Sequence, residues 1–134
     1  MKIIDGAGAV LGRLGAVVAK EALKGEEIAI VNCEKIIITG NQKANKKEFE
    51  RKRRMRGSIF RGPKHHANSE KLVKRAIRGM LPNYREGRGR EALKRIKCYV
   101  GIPKEFKKEK LEKIKTGRKI KYTEVKEFTR ELKK

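Results

Sequence analysis

The residues Gly6-Ala7-Gly8-Ala9-Val10-Leu11-Gly12 stand between a short apolar run and an amphipathic stretch, where a turn cradling a dinucleotide pyrophosphate would stand. Glu34 closes the next apolar run, where an acid could bind ribose hydroxyls. The spacing is imperfect, because the third glycine falls at 12 instead of 11 and Leu11 occupies the position that must pack closely. No second set of βαβ units follows to hold a nicotinamide, and a strand, glycine turn and helix is equally the ordinary way to build an α/β unit. Gly57 and Gly62 have the first spacing of a phosphate-binding loop, but Pro63 replaces the second glycine and no Ser or Thr follows the lysine. His65 and His66 are adjacent, and Cys33 and Cys98 form no Cys-x-x-Cys pair, so a shared tetrahedral zinc is poorly served. No serine or cysteine has a credible base beside it, and the basic middle of the chain holds no paired carboxylates. An enzyme is left without catalytic residues, metal ligands, cofactor or small-molecule substrate to name.

What remains is charge. The chain has 134 residues with 38 Lys and Arg against 16 Asp and Glu, a formal net charge of +22. Residues 1–41 carry five basic and five acidic side chains, a net of zero; residues 42–97 carry 20 and five, or +15; residues 98–134 carry 13 and six, or +7. This asymmetry predicts a neutral βαβ core, basic helices and loops that close it, and a charged C-terminal extension, all in one domain. A surface so cationic attracts a dense polyanion, nucleic acid first and anionic membrane second. The membrane option fails on length, since Ala16–Ala19 and Ile28–Val31 are far short of about 18 apolar residues. No secretory pattern opens the chain, and the two cysteines read as buried small hydrophobes of a reducing compartment, with a disulfide disfavoured. Abundant Lys and Glu with few amides leans towards a heat-adapted source.

The elements that must position this charge are legible from periodicity. Residues 2–5 read as a strand and Ala9–Lys24 as a helix with Leu11, Leu14, Val18 and Ala22 inward, ended by Gly25. Glu27–Cys33 reads as a strand covered on both faces, and Lys35–Thr39 as a further short strand or an extension of that one. Gln42–Arg56 is a strongly basic helix with almost no core residues, which apolar packing alone cannot hold. A Gly/Pro loop spans Gly57–Asn68. Ser69 then caps a helix with Leu72, Val73, Ala76, Ile77, Met80 and Leu81 inward, stopped by Pro82. A basic loop (Tyr84–Gly89), a short helix (Arg90–Ile96) and a last core strand (Lys97–Val100) follow, and Thr123 is placed to cap a final helix with Val125, Phe128 and Leu132 on one side. The fold class is α/β, with a small, mostly parallel sheet of about four strands flanked by helices and extended by basic helices and loops.

Cationic groups in irregular loops as well as on helices suit folded RNA, recognised by shape, better than duplex DNA. With 5% aromatic residues, base stacking is a minor contribution. An architectural DNA-binding protein remains the alternative on residues alone, with a dinucleotide-binding enzyme fragment behind it. The segments IIDGAGAVLGRLGAVVAK, IVNCEKIIITGN, RGP followed by His65 and His66, AIRGMLP and ALKRIKCYVGIP, in that order over roughly residues 1–105, closely resemble the universal large-subunit ribosomal protein thirteen family in its archaeal form. The resemblance implies a structural, non-enzymatic component of the large ribosomal subunit, cytoplasmic and ribosome-bound as a monomer. It implies 23S-type rRNA and neighbouring ribosomal proteins as partners, a role in subunit assembly, and a glycine turn that needs no cofactor. On matching positions it implies Arg61, Lys64, His65, His66 and Arg78 as rRNA-facing. Charge alone adds Lys43, Lys46, Lys47, Arg51, Arg53, Arg54, Arg56, Arg85 and Arg88, each weighed against an ordinary solvated side chain. Arg13 could instead be structural, pairing with Asp5 or Glu34.

Overall fold

A computed structural model describes residues 1–55, 65–114, 117, 121–127 and 129. Strand β1 (Lys2–Asp5), helix α1 (Leu11–Leu23) and strand β2 (Ile28–Val31) form the predicted βαβ unit, with the strands parallel and Lys2 opposite Ile28. All four residues of β2 are buried. Ile28 and Ile30 join Ile4 in the cluster beneath the helices, whereas Ala29 and Val31 join Ile3 and Phe106 in a second, smaller one. A strand covered on both faces is continuously apolar for this reason. Gly25, at a φ of +105°, turns the chain out of α1 in a conformation that favours glycine.

Helix α2 (Gln42–Arg54) precedes α3 (Ser69–Arg78) and α4 (Gly87–Arg95), and α4 runs directly into β4 (Ile96–Cys98), which lies parallel to β2. A two-residue strand, β5 (Glu112–Lys113), pairs in parallel with the free edge of β1, so the sheet order is β4-β2-β1-β5. Helices α1, α3 and α4 cover one face, with Leu14, Val18, Val73, Ile77, Ala92 and Ile96 fully buried. Each large aliphatic among them contributes about 1.5–3 kcal/mol relative to exposure. Phe106 and Tyr99, their rings 5.6 Å apart in an edge-to-face contact, close the other face with Leu111.

Four expectations are corrected. Residues 35–39 hold a further short strand but do not extend the preceding one: after a 3-10 turn at Cys33–Lys35, strand β3 (Ile37–Thr39) pairs antiparallel with β6 (Tyr122–Glu124) in a separate two-stranded sheet. The parallel sheet takes its fourth strand from the Lys/Glu-rich tail. Thr123 does not cap a helix. It is a buried residue of β6, whose ladder to Ile38 outweighs a capping role, and among the described residues a short 3-10 turn (Val125–Glu127) follows; Phe128 and Leu132 lie outside the described residues. Ser69 is not a cap either. Asn68 takes that position without a side-chain bond, and the Ser69 hydroxyl is buried against the Thr129 hydroxyl at 2.8 Å. Finally, Met80 is exposed instead of inward, because α3 ends at Arg78 and the helical phase is lost two residues earlier.

Candidate nucleic-acid interface

Helix α2 is built at its ends and not by its core. Its N-terminus is capped by the Asn41 side chain, which accepts from the Lys43 amide at 3.0 Å, and its last turn holds Arg51, Lys52, Arg53 and Arg54 against the negative end of the helix dipole. No residue of α2 is buried. Phe49, half-buried, packs against the core, and Asn45 donates from Nδ2 to the Thr39 carbonyl and the Thr123 hydroxyl. Lys43, Lys46, Lys47, Arg53 and Arg54 are left exposed. Arg51 is also exposed but bound within the helix, meeting both carboxylate oxygens of Glu48 at 2.8 Å, with Lys52 at 3.4 Å. The Arg51 and Lys52 cations hold the Glu48 carboxyl down at about 2, so it remains an anion across the working pH range.

Helices α2 and α3 flank a groove of about 440 Å³ floored by Ile38, Phe49, Leu72 and Ala76. His65 stands at its rim, its Nε2 3.5 Å from an Arg75 guanidinium nitrogen. Partial burial, then Arg75, Lys52 and His66, push the His65 imidazole below its ordinary value, so it is a neutral hydrogen-bonding group near pH 7. His66 beside it is exposed. Arg56, Arg61 and Lys64 lie outside the described residues.

The turn between α3 and α4 brings two predicted residues together around one that the sequence reading left unassigned. The Arg78 guanidinium sits over the Tyr84 ring, 4.7 Å from its centre, and the Arg85 guanidinium lies 5.7 Å from the same centre. A hydrogen bond from Arg85 and the charges of Arg85, Arg78 and Arg75 lower the Tyr84 phenol from its ordinary value. Gly89, in the first turns of α4, lets this loop seat: a β-carbon there would fall 1.9 Å from the Pro82 carbonyl oxygen and 2.8 Å from that of Asn83. Arg88 is exposed one residue earlier. A tyrosine between two arginines was a readable signal; the role of Gly89 was not, because nothing local reveals a close approach of distant backbone.

The glycine turn offers no phosphate cradle. Its four successive amides are already donated, Gly6 to the Val31 carbonyl, Ala7 to the Asp5 carboxylate, Gly8 to the Lys35 carbonyl and Ala9 to the Gly6 carbonyl, at 2.9 to 3.1 Å. Gly6 is required because a side chain would strike Ile36 at 2.8 Å, and Gly8 because its φ is +72°. Glu34, the candidate ribose ligand, accepts from the Gly101 amide at 3.0 Å. Asp5 also accepts from the Asn32 side chain at 2.8 Å. Arg13 pairs with neither carboxylate; one guanidinium nitrogen lies 3.3 Å from where a side chain on Gly117 would begin.

The cysteines, 65 positions apart in sequence, are brought together by the β2–β4 pairing and are both free thiols. Cys33 is fully buried and Cys98 half-buried. Among the described residues no three His, Cys, Asp or Glu side chains are grouped to hold a metal, and no helix is long and apolar enough to cross a membrane.

Residues 1–105 match the sequence profile of the family described as Ribosomal protein L13. The large ribosomal subunit protein uL13 of Methanosarcina barkeri is 49% identical over 108 residues, covering 80% of this chain and 76% of that protein. Its counterpart in Methanocaldococcus jannaschii is 48% identical over 108 residues, covering 78% and 77%. That of Archaeoglobus fulgidus is 38% identical over 136 aligned positions, covering 97% and 86%.

Proposed function

The chain belongs to the ribosomal protein L13 family, and on that premise we propose that it is a structural constituent of the large ribosomal subunit, gripping 23S-type rRNA through its basic surface and supporting subunit assembly. It is not an enzyme, and it works ribosome-bound in the cytoplasm. Residues 1–41 supply a neutral folding core, residues 42–97 the RNA-binding surface, and residues 98–134 the strands and charged extension that complete the sheet and face neighbouring ribosomal proteins.

The observation that carries the rRNA reading is α2. Thirteen residues with none buried and five freely exposed cations gain little from folding on the body alone. Their mutual repulsion is relieved when they take the place of the small cations condensed on RNA phosphates, and release of those ions supplies the affinity. Lys43, Lys46, Lys47, Arg53 and Arg54 act from this helix, and Arg51 joins them, its guanidinium shared between Glu48 and a backbone phosphate. His65, His66, Arg78, Arg85 and Arg88 act from the groove and the following turn, and Arg56, Arg61 and Lys64 extend the set. The exposure of the α2 cations and the pairing of Arg78 with Arg85 support this assignment.

Sedimentation of a native lysate at low and high salt tests the function directly. The chain is expected to travel with the large subunit and to resist moderate salt; a chain that stays at the top as free protein overturns it. Filter binding to protein-stripped large-subunit rRNA tests the surface. Six phosphate contacts lower affinity by on the order of a thousandfold between about 50 and 200 mM salt, and a salt-insensitive affinity would be incompatible with this reading.

A further inference from the structure

We propose that Tyr84 is a positioning residue that holds Arg78 and Arg85 together as one clamp for adjacent phosphates of the RNA backbone. This rests on the rRNA-binding reading and adds a residue that neither charge nor family motif assigns.

Two guanidinium groups side by side repel each other, and on flexible side chains they spread apart in solvent. Here both are drawn to one ring, Arg78 at 4.7 Å and Arg85 at 5.7 Å from its centre. The negative face of the ring offsets part of the repulsion, and a planar guanidinium stacks on it while keeping its N–H edge outward for a phosphate. Arg78 gains further from its place at the last turn of α3, where the helix dipole favours a cation.

The backbone that carries the ring is held in place. Leu81 is buried, the Pro82 and Asn83 carbonyls press against α4 at Gly89, Asn83 Oδ1 accepts from the Arg85 amide at 3.3 Å, and the Glu86 amide donates to the Asn83 carbonyl at 3.3 Å. The clamp is therefore assembled before RNA arrives, and binding pays less to order two long side chains. With Arg78 stacked on it, the ring contributes through the arginines and not as a stacking platform for a base.

The test uses the full chain and protein-stripped large-subunit rRNA in filter binding across a potassium chloride series, with thermal melting of each variant. Tyr84→Phe keeps the ring but gives up the hydrogen bond that Arg85 donates to the phenol, and is expected to lose no more than about threefold in affinity. Tyr84→Leu is expected to lose about five- to tenfold in affinity, two lost ring contacts of about two- to fivefold each being only partly additive, with melting unchanged. Tyr84→pentafluorophenylalanine, which keeps the shape of the ring and reverses its charge distribution, is expected to match Tyr84→Leu and stands in for it should the leucine variant fold poorly. In an Arg78→Ala, Arg85→Ala background, Tyr84→Leu is expected to cost nothing further. Wild-type affinity in the leucine or fluorinated variant overturns the clamp, as does an equal loss in the double-alanine background, which would show the ring touching RNA itself. Absence of salt-dependent binding by the unaltered protein would instead overturn the rRNA-binding reading and the clamp with it.

Discussion

Three glycines inside helices separate backbone proximity from helix propensity. Gly15→Ala replaces a helix-interior glycine, and Gly12→Ala and Gly89→Ala a glycine of a first helical turn, by the best helix former, a gain of up to about 1 kcal/mol if nothing else changes. At Gly12 a β-carbon meets nothing within 4 Å, so that gain is realised and the melting temperature is expected to rise by about 2–4 °C. At Gly15 it would lie 2.8 Å from the Met80 sulfur, the far end of a flexible and partly exposed side chain that can move, so gain and cost nearly cancel. At Gly89 it would lie 1.9 Å from the Pro82 carbonyl oxygen, roughly 1.4 Å inside an ordinary carbon–oxygen contact of about 3.3 Å. The obstacle is backbone tied to α4 through Asn83 and Glu86, so it cannot swing aside. Overpacking against such an obstacle costs about 3 kcal/mol or more, a fall of about 10 °C for a chain of this size. Calorimetry on the three variants checks the order. Gly89→Ala melting with the unaltered protein, or Gly12→Ala falling with Gly89→Ala, would refute the reasoning.

Replacing Lys43, Lys47 and Arg54 together by Gln is expected to reduce the salt slope of rRNA binding by up to about three phosphates' worth while melting stays within a few degrees, since all three are exposed; an unchanged slope would mean that α2 faces away from RNA. Glu21, gripped by Lys2 at 2.7 Å and Lys24 at 2.8 Å, is held at about 2 against an ordinary 4.5. Because the folded carboxyl binds its proton less readily than the unfolded one, the stability that this triad adds is complete above about pH 4.5 and disappears as pH falls towards about 2. Glu21→Gln should flatten that part of an acid-unfolding curve, and a curve with the same acid limb would count against the triad. The Cys33 thiol, beside Cys98 and buried, is pushed far above the usual thiol range, so it is expected to escape N-ethylmaleimide at pH 8 until the chain unfolds; mass spectrometry finding it labelled in native protein would contradict this. Gly8→Val, at a φ of +72°, is expected to lower the melting temperature by several degrees, and normal melting would show the turn to be more tolerant than its geometry implies.

The βαβ unit was legible because its signals are local: a strand apolar on both faces, a helix of period 3.6, and Gly25 at its end. The basic helix was legible too, since eight cations in fifteen residues leave no room for a core stripe. Pairing partners were not. Glu112–Lys113 carries no apolar pattern, because a two-residue strand on the sheet edge buries neither side chain, and only its backbone bonds to β1 define it. Thr123 looks the same as a helix cap or as a strand residue until Ile38 is placed beside it. In the site, charge identified Arg78 and Arg85 but not their common ring, because cation–ring contacts depend on a turn whose path is set by Gly89, and Arg51 gave no sign that it would spend its Nε and Nη2 donors on Glu48.

Strand β1 has consequences for the order in which this protein is made. One neighbour, β2, follows within 30 residues, but the other, β5, is more than 100 residues away, so the interior strand of the sheet acquires its second partner late. At roughly 5–20 residues per second, the delay between synthesis of Asp5 and Glu112 is on the order of ten seconds. During that interval the +15 segment leaves the translating ribosome while one edge of β1 still offers unpaired backbone groups to any passing strand. The density of positive charge emerging just then keeps identical nascent chains apart by repulsion, so the same lysines and arginines guard a half-built sheet before any of them meets its RNA.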